Sequence, residues 1–346
     1  MSLSVEIQKH LGEFTLDLRF ESEAGMLALL GASGCGKSMT LKCIAGIETP
    51  DRGRIVLNGR VLFDSEKGVD LPPQKRRVGY LFQQYALFPN MTVEQNLRTA
   101  VRKLPKAEQK ARVAERIAAF RLEGLEKHRP HQLSWGQQQR AALARILLSE
   151  PEALLLDEPF SALDDALKWR LELELMEQID RFDGDVLFVS HSRDEVTRLC
   201  ERVCVLSRGR SDPVTTVQAL MQEPGTLSAA QISGCENISP AELRAEGLYC
   251  ADWGVTLRTA RQGVPAQDLR WVGVRARSLR LAPGKEQIPC TVARVIDNLF
   301  SYVLMLQSPG GALLRMELEK GGDPPPDPGS TVCVSVQPED LLLLRD

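Results

Sequence analysis

The chain has 346 residues, of which 43% are hydrophobic and 26% are charged, and its formal net charge is −3. A single hydrophobic core stops growing at about 250–300 residues, so this length predicts two domains. The slight acidity argues against a nucleic-acid partner, because such proteins present a basic surface.

No run approaches the roughly 20 apolar residues of a membrane-spanning helix, and residues 1–6 lack the basic and apolar regions of a signal peptide. We therefore expect a cytoplasmic protein. The eight cysteines include no CxxC pair, and we expect them to be reduced, buried side chains.

The first part of the chain alternates predicted strands with predicted helices. Residues 3–20 predict two antiparallel strands, and Asn58-Gly59 between two β-type runs predicts a hairpin. Buried strands are predicted at 26–30, 153–156 and 186–189, and helices at 38–45, 106–120 and 137–148. This alternation predicts an α/β domain with a largely parallel sheet.

The composition changes near residue 209. Glycine and proline are frequent in residues 209–240, which predicts loops and a short helix between two domains. Seven β-type runs then predict a small all-β barrel or sandwich of about 100 residues. These runs cover 254–257, 271–281, 288–296, 302–306, 312–318, 331–336 and 341–344. We place the domains at 1–232 and 233–346.

Residues 31–38 match the phosphate-binding pattern GxxxxGK[ST] without a mismatch, between a predicted strand and a predicted helix. The glycines let backbone N–H groups point at phosphate oxygens, and the helix presents its positive end to the same charge. Lys37 is placed to hold the β- and γ-phosphates, and Ser38 to give its hydroxyl to Mg²⁺. We therefore predict that ATP and Mg²⁺ bind here. The predicted nucleotide-binding residues are Gly31, Ala32, Ser33, Gly34, Cys35, Gly36, Lys37, Ser38 and Met39.

Two acidic residues end the apolar strand at 153–156. A strand buried on both faces brings its last residues to the carboxyl edge of the sheet, where ligands bind in α/β folds. Asp157 is then placed to hold Mg²⁺, and Glu158 to orient or deprotonate the attacking water.

Residues 133–140 resemble the LSGGQ signature of the ABC-transporter ATPase family and precede the Asp157-Glu158 pair at the family's spacing. The resemblance implies a P-loop ABC ATPase domain with a mostly parallel sheet and a helical subdomain. It also implies a homodimer, in which the signature of one subunit covers the nucleotide of the other. The signature residues here are Ser134, Trp135, Gly136 and Gln137.

Four further residues resemble functional positions of the same family. Gln83 resembles the Q-loop glutamine, Asp164 the D-loop acid, and His191 the switch histidine that contacts the γ-phosphate. Phe14 is the candidate for the aromatic ring that stacks on adenine, with a core aromatic as the alternative. The resemblance thus implies the catalytic residues Glu158, His191 and Gln83 and the Mg²⁺ ligands Ser38, Gln83 and Asp157.

Trp135 departs from the family pattern, which has glycine at this position of the signature. Glycine permits close backbone approach and unusual φ/ψ values. We hypothesise that the indole weakens ATP-driven dimer closure relative to a glycine-bearing relative. The alternative is that the indole points away and has little effect.

The domain order resembles importer ATPases. Residues 272–276 and 334–340 resemble strands of the family's TOBE domain, an oligonucleotide/oligosaccharide-type barrel, and residues 232–239 are similar to molybdate importer ATPases. The resemblance implies a peripheral protein at the cytoplasmic face of the membrane that binds integral permease subunits. A periplasmic or lipid-anchored substrate-binding protein would act indirectly.

Other transported ions and other classes remain open. Sulfate/thiosulfate and ferric iron importers have the same organisation. A soluble ABC ATPase of DNA repair or translation is a different class, but the coiled-coil or zinc insertions and second cassette of those proteins are absent from this sequence. In the β domain, Arg275, Arg277 or Arg294 could sense an oxyanion, with a solvated strand face as the alternative.

Overall fold

The computed structural model describes residues 2–23, 25–161, 165–258, 267–281, 287–322 and 324–345. The chain divides into two compact units, Met1–Val217 and Gln218–Asp346. The domain boundary after residue 232 stays a prediction.

Within the described residues, a twelve-stranded sheet organises the first unit. Its strands are β1 Ser2–Leu11, β2 Phe14–Glu23, β3 Gly25–Leu30, β4 Arg52–Leu57, β5 Arg60–Asp64, β6 Val69–Asp70, β7 Val78–Leu81, β8 Ala153–Asp157, β9 Asp185–Ser190, β10 Arg202–Ser207, β11 Arg210–Ser211 and β12 Thr215–Thr216. The strand order is β6-β5-β4-β1-β2-β11-β10-β3-β9-β8-β7, and β12 pairs with β10. Strands β10, β3, β9, β8 and β7 pair in parallel, whereas β2, β1, β4, β5 and β6 pair antiparallel. The predicted α/β class is confirmed.

Helices connect these strands. They are α1 Lys37–Ala45, α2 Pro73–Arg76, α3 Val93–Ala100, α4 Lys106–Ala119, α5 Trp135–Leu148, α6 Asp165–Ile179 and α7 Arg193–Leu199, with a 3₁₀ turn at Pro130–Gln132. Helix α1 packs into a core shared by both parts of the sheet. Every residue of β8 and β9 is buried, because helices and neighbouring strands cover both faces of the parallel part. The carboxyl ends of these strands therefore carry the polar residues of the site.

The second unit is mostly β. It begins with helix α8 Val217–Gln222, whose first residue ends the first unit, and with helix α9 Leu227–Ile232, and it contains 3₁₀ turns at Ala276–Ser278 and Pro338–Asp340. The strands are β13 Asn237–Arg244, β14 Gly247–Cys250, β15 Val255–Leu257, β16 Trp271–Val274, β17 Arg280–Leu281, β18 Gln287–Asp297, β19 Ser301–Gln307, β20 Leu313–Glu319, β21 Thr331–Ser335 and β22 Leu342–Leu344. They form two five-stranded antiparallel sheets, ordered β15-β14-β13-β16-β22 and β17-β21-β18-β19-β20. Both sheets contribute to one core around buried Trp253, as predicted for a barrel-like domain.

Two predictions about this unit were wrong. Residues 271–281 do not form one strand, because the 3₁₀ turn separates β16 from β17, which belongs to the other sheet. Residues 237–240, predicted as loop, begin β13, where Pro240 pairs with Trp271. In the part of the chain that the structure describes, no helix has both the length and the apolar character needed to cross a membrane.

Candidate functional site

The loop at residues 31–38 connects β3 with α1, and two of its glycines are sterically required. Gly36 precedes α1 with φ +111°, and a Cβ there would lie 2.3 Å from Leu16 Cδ1. A Cβ on Gly31 would lie 2.4 Å from the carbonyl oxygen of Leu206. A side chain at either position would force the loop away from the sheet, so glycine keeps the backbone in place.

Lys37 lies at the centre of this loop, with its side chain only 4% exposed. Its ammonium group donates hydrogen bonds to the carbonyl oxygens of Gly31, at 2.8 Å, and Ala32, at 3.0 Å. Nζ also lies 3.8 Å from Oε1 of Glu158. The positive charge is thus held inside the curve of the loop, where it is placed to attract phosphate oxygens.

Asp157 is fixed by two hydroxyl groups. Ser38 Oγ donates to Oδ1 at 2.8 Å, and the Tyr80 hydroxyl donates to Oδ2 at 2.8 Å. Asp157 is buried, and Tyr80 reaches it from the neighbouring strand β7. This hydroxyl and carboxylate are the hard oxygen donors that Mg²⁺ prefers.

The Ser38 and Asp157 oxygens fit a magnesium ion only together with further oxygen ligands. Among the described residues, no group of three or more His, Cys, Asp or Glu side chains could hold a metal ion by itself. Mg²⁺ commonly uses one or two protein ligands together with phosphate oxygens and water. The donor set therefore fits a nucleotide-bound ion rather than an independent metal site.

Glu158 has a left-handed backbone, with φ +45°. This conformation, which L-residues rarely adopt, turns the chain away from the strand direction immediately after β8. Its N–H donates to the carbonyl oxygen of Val189 at 3.0 Å. The carboxylate lies between the Lys37 ammonium and Nδ1 of His191, which is 3.3 Å from Oε2. Lys37, Glu158 and His191 are therefore brought together from three separate segments.

Gln83 reaches the same region through Ser161. Its Nε2 donates to Ser161 Oγ at 2.9 Å, and that hydroxyl donates to the carbonyl oxygen of Glu158 at 3.1 Å. Asp164, the predicted D-loop acid, lies outside the described residues.

The signature residues lie at the start of α5, where Ser134 and Trp135 are exposed. Ser134 precedes the helix and exchanges capping-box hydrogen bonds with Gln137, at 2.9 and 3.4 Å. Gly136 is buried, and a Cβ there would lie 2.8 Å from Leu171. The predicted contact of this segment with nucleotide in a second subunit stays a prediction.

Trp135 points partly into solvent, with 48% of its surface exposed. One edge of the indole packs against the ring of Tyr85, with centroids 6.0 Å apart and an angle of 67° between the planes. Tyr85 is buried and donates a hydrogen bond of 3.3 Å to the carbonyl oxygen of Pro159. The indole is thus anchored on one side and free on the other.

The remaining predicted residues surround the loop. A Cβ on Gly36 would lie 3.5 Å from Phe14 Cζ, so the partly buried Phe14 ring lies beside the loop. Its stacking on adenine stays a prediction. Cys35 is buried, and burial raises the pKa of its thiol despite the Lys37 charge. The reactive thiolate is therefore scarce at neutral pH. Ala32, Ser33 and Gly34 are exposed, and Met39 is half-buried.

Sequence reasoning missed Tyr80 and did not use Ser161 individually. Tyr80 lies three residues before Gln83 in a buried strand, and a buried tyrosine hydroxyl usually has a hydrogen-bond partner. That rule would have identified Tyr80 as a residue with a polar neighbour. Only the tertiary structure identifies the neighbour as Asp157.

Arg275, one of three arginines considered as an oxyanion sensor, has structural partners within the second unit. Its guanidinium donates to the backbone carbonyl oxygens of Ser233 and Met221. Arg277 is highly exposed and pairs with Glu317 at 3.0 Å. Both guanidinium groups therefore already have acceptors in the protein.

Comparison with protein families gives two matches. A family described as ABC transporter matches residues 16–161, and a TOBE-domain family matches residues 272–344. The matches fall in the first and second compact units respectively.

Curated relatives include import ATP-binding proteins for several substrates. A molybdenum import ATP-binding protein of Rhodospirillum rubrum is 33% identical over 338 residues, which are 93% of this chain and 88% of the relative. A spermidine/putrescine import ATP-binding protein of Nitratidesulfovibrio vulgaris is 36% identical over 326 residues, 89% of this chain and 87% of the relative. The match with a molybdenum import ATP-binding protein of Paramagnetospirillum magneticum has 40% identity, but covers 64% of this chain and 61% of that relative.

Solved structures include a similar dimer. A post-hydrolysis, dimeric ATP-binding cassette bound to ADP and phosphate has a TM-score of 0.52 and 26% identity, covering 63% of this chain and 99% of that chain. The likeness extends over about the length of the first unit.

Proposed function

Because this chain belongs to the ABC transporter family of ATP-binding proteins, we propose that it binds and hydrolyses Mg-ATP to power an importer. We propose molybdate as the imported substrate. The observation that carries the ATPase part is the convergence of Lys37, Ser38, Asp157, Glu158 and His191 at one edge of the sheet. The substrate part rests on the long match with the Rhodospirillum rubrum molybdenum protein.

The loop and Lys37 bind the phosphates of ATP. Backbone N–H groups at the start of α1 and the Lys37 ammonium supply positive charge where the β- and γ-phosphates lie. Ser38 and Asp157 would hold Mg²⁺, which, when bound, neutralises phosphate charge. Their mutual hydrogen bond supports this role, because both oxygens already face one point.

Glu158 is the proposed general base. Its carboxylate, which lies 3.8 Å from the Lys37 ammonium, would accept a proton from the water that attacks the γ-phosphate. His191 lies on the opposite side of the carboxylate and would donate a hydrogen bond to the γ-phosphate. Gln83, through Ser161, fixes the backbone carbonyl of Glu158.

Replacing Glu158 by Gln tests the catalytic assignment. The amide keeps the shape of the side chain but cannot accept the proton, so we expect a loss of ATPase activity of about 10²–10⁴-fold with ATP binding retained. Phosphate release and equilibrium binding of a labelled ATP analogue measure the two effects. Glu115→Gln, on the exposed face of α4, is the control. Hydrolysis at the parental rate by Glu158→Gln would remove Glu158 from the mechanism.

We also propose a homodimer in which Ser134–Gln137 of one subunit complete the nucleotide site of the other. The exposed N-terminus of α5 supports this, because such a helix end attracts phosphate. The dimeric solved relative supports the same assembly. The proposed transporter therefore contains two copies of this chain and integral membrane permease subunits, and the permease places it at the cytoplasmic face of the membrane.

A surface next to Gln83 is the proposed contact with the permease. Phe88 and Met91 are exposed there, and the Arg145 guanidinium lies 5.2 Å from the centroid of the Phe88 ring. Phe88→Asp is expected to abolish stimulation by the permease while basal ATPase activity persists. Normal transport by that variant would refute the contact.

Polyamine uptake is the second candidate, because the Nitratidesulfovibrio vulgaris relative matches almost as much of the chain. Sulfate/thiosulfate and ferric iron remain further alternatives. The deciding experiment measures ATPase activity of this chain reconstituted with its permease and with binding protein loaded with molybdate, sulfate, ferric iron or spermidine. Stimulation by molybdate alone supports the proposal, and stimulation by another ligand replaces the substrate. A chain that hydrolyses ATP but never co-purifies with an integral membrane protein would instead be a non-transport ATPase.

A further inference from the structure

Two ion pairs join helices α6 and α7, close to His191. Lys168 Nζ lies 2.5 Å from Oε1 of Glu195, and the Arg198 guanidinium forms two hydrogen bonds, of 2.8 and 2.9 Å, with Glu172. Both carboxylates are buried, with Glu195 4% and Glu172 2% exposed. The two pairs run in opposite directions, since the cation is on α6 in one pair and on α7 in the other.

Only the Lys168–Glu195 pair reaches the segment that carries His191. The second oxygen of Glu195 accepts a hydrogen bond of 2.6 Å from the hydroxyl group of Ser190, the last residue of β9. The same hydroxyl accepts a hydrogen bond of 2.9 Å from the backbone N–H of Ser192. His191 therefore has both neighbouring residues tied to one buried carboxylate.

The position of that carboxylate depends on its cation. A buried carboxylate without a partner charge is strongly disfavoured, and it either becomes protonated or moves towards water. Lys168, which is 19% exposed, places its positive charge beside one oxygen of Glu195, while the other oxygen accepts the hydrogen bond from Ser190. His191 itself is about half exposed, so burial alone does not fix its ring.

We infer that Lys168 and Glu195 are positioning residues for His191. They hold the backbone on both sides of the histidine, so that its imidazole faces Glu158 at 3.3 Å. This inference rests on the proposed ATPase function for its kinetic consequence, but the geometric part concerns the orientation of His191 and can be tested without catalysis.

The Arg198–Glu172 pair provides a matched control, because it joins the same two helices and because, within the described residues, the Ser190 hydroxyl bonds to Glu195 and Ser192 instead. The variants Lys168→Met and Arg198→Met each remove one cation and keep an unbranched side chain. The kinetic readouts are kcat and KM for ATP. The spectroscopic readout is the ring carbon–hydrogen NMR resonance of His191, identified among the four histidines of the chain by its absence in His191→Gln.

We expect Lys168→Met to lower kcat about 10-fold or more, since small misplacements of a catalytic group have effects of this order, with KM within about 2-fold. The His191 resonance should shift in the same variant. Arg198→Met should retain kcat within about 2-fold and leave the resonance in place, even if its thermal stability falls equally. Lys168→Arg should restore both readouts.

Equal losses of kcat in Lys168→Met and Arg198→Met would overturn the inference, because they would point to general packing between α6 and α7. An unchanged His191 resonance in Lys168→Met would also overturn it. If Lys168→Met fails to fold, Ser190→Ala removes only the hydroxyl and is expected to shift the resonance. If the parent protein hydrolyses no ATP, the proposed function fails, and the NMR comparison still decides the positioning role.

Discussion

The hydroxyl group of Ser38 donates a hydrogen bond of 2.8 Å to Asp157, although 119 residues separate the two in the chain. Ser38 lies in the first turn of α1, and Asp157 ends β8. The bond therefore joins the phosphate-binding loop to the carboxyl edge of the sheet. Both oxygens that would hold Mg²⁺ are aligned by the fold itself.

Tyr80→Phe tests how far this alignment depends on the strand next to β8. Burial and the charge of Asp157 raise the pKa of Tyr80, so its hydroxyl keeps the proton that it donates to Asp157 Oδ2. Loss of such a partner of a metal ligand costs about 10–100-fold in metal affinity or activity. We expect the Mg²⁺ concentration for half-maximal ATPase activity to rise about 10-fold. A magnesium titration equal to that of the parent and of the control Tyr249→Phe would contradict this role.

Trp135→Gly tests the departure from the family signature. If the indole hinders the approach of a second subunit, its removal should increase ATP-dependent dimerisation. Static light scattering measures the dimer, and the variants also carry Glu158→Gln so that the ATP is not hydrolysed. Loss of the packing on Tyr85 should at the same time lower stability by about 0.5–1.5 kcal/mol. Trp135→Ala separates removal of the indole from the added backbone freedom of glycine. Equal dimerisation of the three proteins in this background, together with equal ATPase rates when Glu158 is intact, would refute the hindrance hypothesis.

Arg76→Met tests a structural role for a buried guanidinium behind the phosphate-binding helix. Arg76 is fully buried and donates to the carbonyl oxygens of Cys43 and Ile44, at the C-terminal end of α1, at 2.7 and 2.8 Å. It also pairs with Asp70 at 2.7 Å. Removal takes this donor from the carbonyl oxygens of Ile44 and Leu71 and the ion pair from Asp70, so we expect the free energy of unfolding to fall by about 3 kcal/mol.

The neighbouring Arg77→Met is the control for that measurement. Arg77 is 57% exposed and pairs with Glu152 at 3.0 Å, so its loss should cost less than about 1 kcal/mol. Denaturant unfolding of the two variants gives the comparison. Similar losses of stability in both would mean that the burial of Arg76 has no energetic consequence.

Local sequence patterns predicted those parts of the site that are formed by residues adjacent in the chain. The loop at 31–38 and the acids after β8 depend on glycine conformation and strand burial, which neighbouring residues determine. The partners Tyr80, Lys168 and Glu195 depend on which strands and helices become neighbours. Nothing in the spacing of these three residues encodes that arrangement.

The same distinction explains the wrong strand at 271–281. The run contains enough apolar residues for a strand, but its buried hydrophobic side chains, at 272, 274, 276 and 279, lose the two-residue period after 276. The 3₁₀ turn at Ala276–Ser278 carries the chain from one sheet to the other. A change of sheet depends on the packing of the whole unit, so an average of β-propensity over the run does not reveal it.

Asp185 provides a prediction about pH and stability. It begins β9 and is 2% exposed, and neither carboxylate oxygen has a hydrogen-bond partner within the described residues. Burial therefore raises the pKa of its carboxyl group above the ordinary value. Because the folded-state pKa is the higher one, the neutral carboxyl is compatible with folding at low pH, and stability is lost as the pH rises through the folded pKa.

Asp185→Asn removes this ionisation and nearly preserves the shape of the side chain. We expect the variant to have a higher free energy of unfolding than the parent at about pH 8, and the difference to shrink as the pH falls towards about 4, where the unfolded carboxyl also becomes protonated. Denaturant unfolding at a series of pH values measures this dependence. Asp183→Asn, at an exposed position two residues earlier, should show no such trend. A difference between Asp185→Asn and the parent that does not change with pH would refute this prediction, because it would mean that folding does not shift the pKa of Asp185.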